Sequence, residues 1–245
     1  MSARPLLKGR PISLGLLDYG LFRVHDGPRT IGICGYLIQT DAGEAVLVDL
    51  GFPPAYAADP EAASKADALT TFGTVLTCTA ENTPAAQLAK AGLTEADIDL
   101  LVLTHSHIDH IGDLAFAPEA PLILSAAERA LPRPLYWGDR QPLDWPDRET
   151  LALERDTDLA AGLRVLMAPG HTPGQIALLL ELPQTGSVLL TSDAISRPSE
   201  IFATDRERQT AARLLQIAEK KGAVILYGHD PAQWPSLRKV PDLYL

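Results

Sequence analysis

The stretch Thr104-His105-Ser106-His107-Ile108-Asp109-His110 places four groups able to bind a metal ion within the six residues 105–110. Directly before it, Leu100-Leu101-Val102-Leu103 is a continuous apolar run. A short run of that kind, ended by a polar turn, predicts a strand covered on both faces. Such a strand delivers side chains at its carboxyl end, where α/β sheets carry their chemistry. Alternate side chains of an extended turn point the same way, so His105 and His107 can converge on one cation while Ser106 points elsewhere. Asp109 and His110 follow; if the chain turns helical there, they face another direction and can serve a second cation. Three of the six histidines fall in this segment, around one aspartate. Metal chemistry accounts for such clustering and ordinary packing does not.

The rest of the composition bounds the answer. A chain of 245 residues that is 46% hydrophobic can bury a core. No run approaches the roughly 18 consecutive apolar residues of a membrane span, and Met1-Ser2-Ala3-Arg4-Pro5 is not followed by a signal-peptide core, so the reading is cytoplasmic with no membrane partner. A formal net charge of -10 argues against nucleic acid, whose binding leans on clustered Lys and Arg. Cys34 and Cys78 are too few for a disulfide framework and read as buried thiols.

Along the chain, residues 12–24 read as an opening strand or two. His25, in His25-Asp26-Gly27-Pro28, reads as a turn residue. A hairpin follows: Gly35-Tyr36-Leu37-Ile38, a turn at Asp41-Ala42-Gly43, then a strand through 45–49. Residues 52–82 show no clean period and stand as a rim, a dimer element or a surface loop. Thr83 caps a helix over 84–91 that Gly92 stops. A strand at 121–124 leads to a second helix that Ser125-Ala126-Ala127-Glu128 starts with capping-box spacing. The prolines of 131–149 prevent regular structure, and Tyr136, Trp137 and Trp145 make that loop a candidate pocket wall. The second half repeats the pattern, with a strand at 163–167 and a pair at 176–182 and 188–191. A helix over 208–221 puts Ala211, Leu214, Leu215 and Ala218 in the core, and a last strand covers 224–227.

His105-x-His107-x-Asp109-His110 is the signature motif of the metallo-β-lactamase superfamily, and the chain resembles that family from about residue 30 to 235. The family's other ligands follow in order, each past an apolar run: His171 in Gly170-His171-Thr172-Pro173-Gly174, Asp193 in Thr191-Ser192-Asp193, and His229 in Gly228-His229-Asp230. The resemblance implies a four-layer αββα sandwich, a single domain over 1–245, where composition alone says only α/β. It implies a first metal held by His105, His107 and His171, a second held by Asp109, His110 and His229, and Asp193 bridging them, with Asp109 and Asp193 in catalysis. Asp49, at a strand end, resembles the family's acidic residue that accepts the free ring N–H of a ligand histidine. Two divalent cations are implied; zinc suits these donors first, and iron, manganese and cobalt suit them too.

Within the superfamily, class B β-lactamases lack this full ligand set, flavin-linked di-iron reductases usually have Glu where His107 stands, and glyoxalase II-like and RNA-processing members add regions not visible here. The chain is most similar to the N-acyl-homoserine lactonase branch. The implied function is metal-dependent opening of a lactone ring, in the manner of quorum-signal degradation, on a small-molecule lactone or ester. Those lactonases typically carry a Tyr three residues after the bridging Asp, where this chain has Ser196, also a pocket candidate; Tyr36, Tyr136 and Tyr227 stand as substitutes. An esterase, organophosphate or other small-lactone hydrolase of the same site remains open, as does a metal-binding protein without turnover. A homodimer also stays open.

Overall fold

The alternation of apolar residues along the strands decides how the layers stack. A computed structural model describes residues 6–245; the Met1 to Pro5 opening lies outside the described residues. In chain order the elements are β1 (Pro11–Val24), β2 (Arg29–Thr40), β3 (Ala45–Val48), α1 (Pro54–Ala58), α2 (Pro60–Ala66), β4 (Gly73–Thr77), α3 (Pro84–Lys90), β5 (Leu100–Val102), α4 (Ile108–Ile111), β6 (Leu122–Ser125) and α5 (Ala126–Arg129). The second half adds β7 (Thr150–Leu153), β8 (Thr157–Ala160), β9 (Leu163–Met167), β10 (Ile176–Leu182), β11 (Gly186–Ser192), α6 (Asp205–Lys221) and β12 (Val224–Tyr227).

Two mixed sheets form, in the orders β4-β1-β2-β3-β5-β6-β7 and β12-β11-β10-β9-β8. Along β10, Ile176, Leu178 and Leu180 face the first sheet, meeting Leu14, Val46 and Val102 in one buried cluster. Their alternates Ala177 and Leu179 face the other way, onto Ala211, Leu214 and Ala218 of α6. The first sheet repeats the division: Leu47 and Leu101 turn away from the sandwich toward Tyr56, Leu88 and Ile108 of the short helices. Three apolar clusters between four layers make an αββα sandwich, as the resemblance implies. In β1, a register shift between Asp18 and Gly20 changes which residues face outward, from Leu17 and Tyr19 to Phe22 and Val24. That is the effect of a bulge in a structure of period two.

Several expectations need correction. Residues 52–82 are neither one loop nor a bare rim. Asp59 caps α2 by accepting from the Ala62 N–H, and β4 pairs antiparallel with β1 as the edge strand; the segment lacks a period because each piece is one or two turns long. The helix expected after Ser125 is a single turn, and the Glu128 side chain does not return to the Ser125 N–H. In α6, Leu215 is 43% exposed while Leu214 is fully buried, because adjacent helical positions point about 100° apart. The hairpin of β2 and β3, the Thr83 cap, and the β10–β11 pair stand where expected. Both cysteines are buried and free.

Candidate metal centre

Strand ends bring the site together. β3 leads to Asp49, β5 to Thr104 and His105, β9 to His171, β11 to Asp193 and β12 to His229. After β5 the chain runs extended through His107 and then makes the single turn α4, which carries Asp109 and His110. The change from extended to helical backbone leaves His107 grouped with His105 and His171, and His110 grouped with Asp109 and His229 as well as with His105 and Asp193. Gly228 is required before His229: a Cβ there would lie 2.5 Å from the Ser192 carbonyl oxygen and 3.0 Å from Asp193 Oδ1. Ser192, with φ 45° and ψ -144°, holds a conformation that costs a non-glycine residue about 1–3 kcal/mol. Its hydroxyl lies 2.9 Å from Thr104 Oγ1, and this turn aims Asp193 inward.

Hydrogen bonds fix which ring nitrogen each histidine presents. His110 Nδ1 donates to Asp49 Oδ2 at 2.8 Å, and His229 Nδ1 to the Gly32 carbonyl at 2.9 Å. His105 Nδ1 lies 3.2 Å from Thr104 Oγ1. All three therefore turn Nε2 toward the centre, the arrangement by which an outer partner sets the tautomer of a ligating histidine. Asp49 does more than sequence suggested: its carboxylate also accepts from the Thr104 N–H at 2.8 Å and the Thr104 hydroxyl at 2.7 Å. It thereby ties β3 to the motif loop.

Donor atoms converge in three overlapping groups, His105 with His107 and His171, His105 with His110 and Asp193, and Asp109 with His110 and His229, each with its donors within 4.8 Å of one another. His107 Nδ1 stands 3.0 Å from His171 Nε2, His110 Nε2 3.3 Å from Asp193 Oδ1, His229 Nε2 3.5 Å from Asp109 Oδ2, and His171 Nε2 3.4 Å from Asp193 Oδ2. Tetrahedral ligands about 2.0–2.1 Å from a zinc ion lie about 3.3 Å apart, so these separations are ligand-to-ligand distances. His105 Nε2, His110 Nε2 and Asp193 Oδ1 are buried without a hydrogen-bond partner. Three orphaned lone pairs facing one point fit a cation, because buried polar atoms are otherwise satisfied. The cluster can hold metal.

Electrostatics agree. For His110, burial opposes protonation, but Asp109, Asp49 and Asp193 outweigh it and raise its pKa well above the ordinary value. Burial likewise opposes the charge of His229, yet Asp193 and Asp109 lift it to about 9. Asp193 is held well below the carboxylate range by His229 and His110 against its own burial. His105 and His107 move the other way: burial and neighbouring rings lower both, His107 to about 4.

A cleft of about 400 Å³ opens over His107, Asp109, His171, Asp193 and His229. Trp137 and Ser196 line it, together with Phe72, whose ring lies 4.9 Å from that of Trp137. Tyr136 and Trp145 do not line it. Tyr136 is 5% exposed and donates its hydroxyl to Asp67; Trp145 Nε1 donates to the Leu131 carbonyl, with Arg129 over its ring. Both anchor the loop rather than wall the cleft. None of the three tyrosines weighed as substitutes lines the cleft either. His25 sits in a turn with its Nε2 2.9 Å from Thr74 Oγ1.

Residues 35–229 match the Metallo-beta-lactamase superfamily model. The chain belongs to that superfamily. Among superfamily members it is 30% identical over 222 residues to the N-acyl homoserine lactonase AiiA of Bacillus thuringiensis subsp. kurstaki, covering 84% of each chain. It is 31% identical over 179 residues to the N-acyl homoserine lactonase AttM of Azorhizobium caulinodans, covering 65% of this chain and 68% of that protein. A solved structure of a B. thuringiensis AiiA mutant with N-decanoyl-L-homoserine bound at its active site superposes with a TM-score of 0.81 at 25% identity, over 96% of this chain and 100% of that one. An N-acyl homoserine lactone hydrolase with N-hexanoyl-L-homoserine bound at its catalytic metal centre gives 0.80 at 25% identity, over 96% and 100%.

Proposed function

We propose that this protein is a metal-dependent hydrolase that opens the ring of N-acyl homoserine lactones, using two divalent cations, zinc first among them. The observation that carries this reading is the convergence of His105, His107, Asp109, His110, His171, Asp193 and His229 beneath one cleft, in a chain similar to N-acyl homoserine lactonases over 84% of its length. His105, His107 and His171 would hold the first cation and Asp109, His110 and His229 the second, with Asp193 available to either, since its two oxygens face His171 on one side and His110 and His229 on the other. Bound there, a pair of divalent cations supplies acidity to a water and draws charge from a carbonyl oxygen.

The chain's own residues do the rest. Asp49 and Gly32 hold the rings of His110 and His229 with Nε2 inward. Attack of the water oxygen on the lactone carbonyl carbon breaks the ring C–O bond, and the leaving alkoxide takes a proton. Asp109, 19% exposed at its side chain, is the carboxylate placed to carry that proton from the attacking water. Trp137 and Phe72 shape the wall that keeps the acyl side out of water.

Ser196 favours a second reading. No tyrosine is among the residues lining the cleft, which favours esters, phosphotriesters or other small lactones whose leaving groups need no phenol beside them. The test is proton release from a panel of acyl-homoserine lactones, γ- and δ-lactones, an aryl ester and an aryl phosphotriester, each with an Asp193→Ala control. Control-sensitive turnover of homoserine lactones supports the first reading; turnover confined to the activated substrates moves the enzyme to the second.

A further inference from the structure

Glu128 is the buried titratable group that the reaction above leaves unused, with no exposed surface at all. No cation pairs with it among the described residues. Instead one oxygen accepts from the Ser106 N–H at 2.9 Å and the Ser106 hydroxyl at 2.5 Å, and the other accepts from the Thr172 hydroxyl at 2.8 Å and the Gly174 N–H at 3.0 Å. Ser106 lies between His105 and His107, and Thr172 follows His171. One carboxylate therefore grips the two loops that carry the three histidines of the first cation site.

Two further observations show that the grip is built in. Gly174 packs so closely on the start of α5 that a Cβ would lie 2.2 Å from the Glu128 backbone nitrogen and 2.2 Å from Ser125 Oγ. Ser106 Oγ, having donated to Glu128, accepts from the Leu135 N–H at 3.0 Å, which extends the grip to the loop bearing Trp137. All four contacts to Glu128 come from donors, so the carboxyl acts only as an acceptor, the pattern of an ionised side chain.

We propose that Glu128 is a positioning residue for the first cation site: it sets the separation of the His105–His107 loop from the His171 loop. The proposal rests on the ligand assignment above. Outer partners of metal-ligating groups typically change affinity by about 10–100-fold when lost. Glu128 acts on all three histidines of one site through their backbone, and on none of Asp109, His110 or His229.

The experiment is titration of chelator-stripped full-length protein with Co²⁺, followed by visible absorption and a competing chelator, for wild type, Glu128→Gln, Glu128→Asp and Thr172→Val. Wild type should take up two equivalents. Glu128→Gln should weaken one equivalent about 10–100-fold and alter its spectrum while the other keeps its affinity; Glu128→Asp, which restores the charge, should recover part of the loss. Thr172→Val keeps size and removes one donor, and should weaken the same equivalent by a smaller factor even if the Glu128 variants fail to fold. Folded variants that bind both equivalents with wild-type affinity and spectra, or Thr172→Val indistinguishable from wild type, would overturn the proposal. Wild type that binds no cation would instead overturn the ligand assignment itself.

Discussion

Asp193 and Asp49 separate the two jobs a carboxylate can do at this centre. Asp193 faces His110, His171 and His229 within 3.1–3.4 Å, so Asp193→Ala should leave fewer than two metal ions per chain and abolish turnover; metal analysis of the purified variant checks it. Asp49 meets the cluster through the outer nitrogen of His110, besides its two bonds to Thr104. It sits at φ 58°, a conformation asparagine tolerates, so Asp49→Asn is a clean probe and should cost about 10–100-fold in metal affinity. The histidine shifts predict opposite pH slopes with and without metal. In the metal-free protein the His229 pKa rises from 6.5 to about 9; that proton stabilises the fold fully below pH 6.5, and the contribution is lost as pH rises through about 9. Metal binding needs the neutral ring, so it strengthens over the same range and releases protons. Calorimetric titration in two buffers of different ionisation enthalpy measures that release, and metal-free melting temperatures should fall while metal-loaded ones rise.

At the scale of elements, α6 shows how far periodicity can be trusted. Its end was legible, with Gly222 closing the helix at φ 59°, but its start lies at Asp205, three residues before the expected 208, where Thr204 and Glu207 form a capping box. The apolar stripe was also legible, but Leu214 and Leu215 are neighbours in sequence and only one can face the sheet. Leu214→Ala should cost about 2–5 kcal/mol, whereas Leu215→Ala should stay within about 0.5 kcal/mol; urea unfolding of the pair distinguishes them. The short elements were less legible. Neither α1 nor α2 exceeds seven residues, too few to establish a period, and β4 is a strand because β1 offers it an edge. The Ser125 spacing was read as a capping box, yet Glu128 finds stronger partners in two loops 22 and 46 residues away. Local pattern offers no view of such partners.

The whole molecule makes the cleft from segments far apart in the chain, so the aromatic residues of one loop divide by function. Trp137→Ala should raise KM several-fold with the fold intact, since its ring lines the cleft beside Phe72. Trp145→Ala should leave KM unchanged and lower stability on the order of 1–3 kcal/mol; steady-state kinetics beside thermal melts reads both. No described helix is long and apolar enough to cross a membrane. By itself the sequence determined the clustering of His and Asp at strand ends, which depends on residue type and short spacing, and its motif carried the resemblance that implied the αββα class. Tertiary structure alone decided that Gly32 orients His229 from 197 residues away, that Glu128 joins the Ser106 and Thr172 loops, and that Trp137 rather than Tyr136 or Trp145 lines the cleft. Those outcomes depend on which surfaces meet when two sheets stack, and that meeting leaves no periodic trace in the chain.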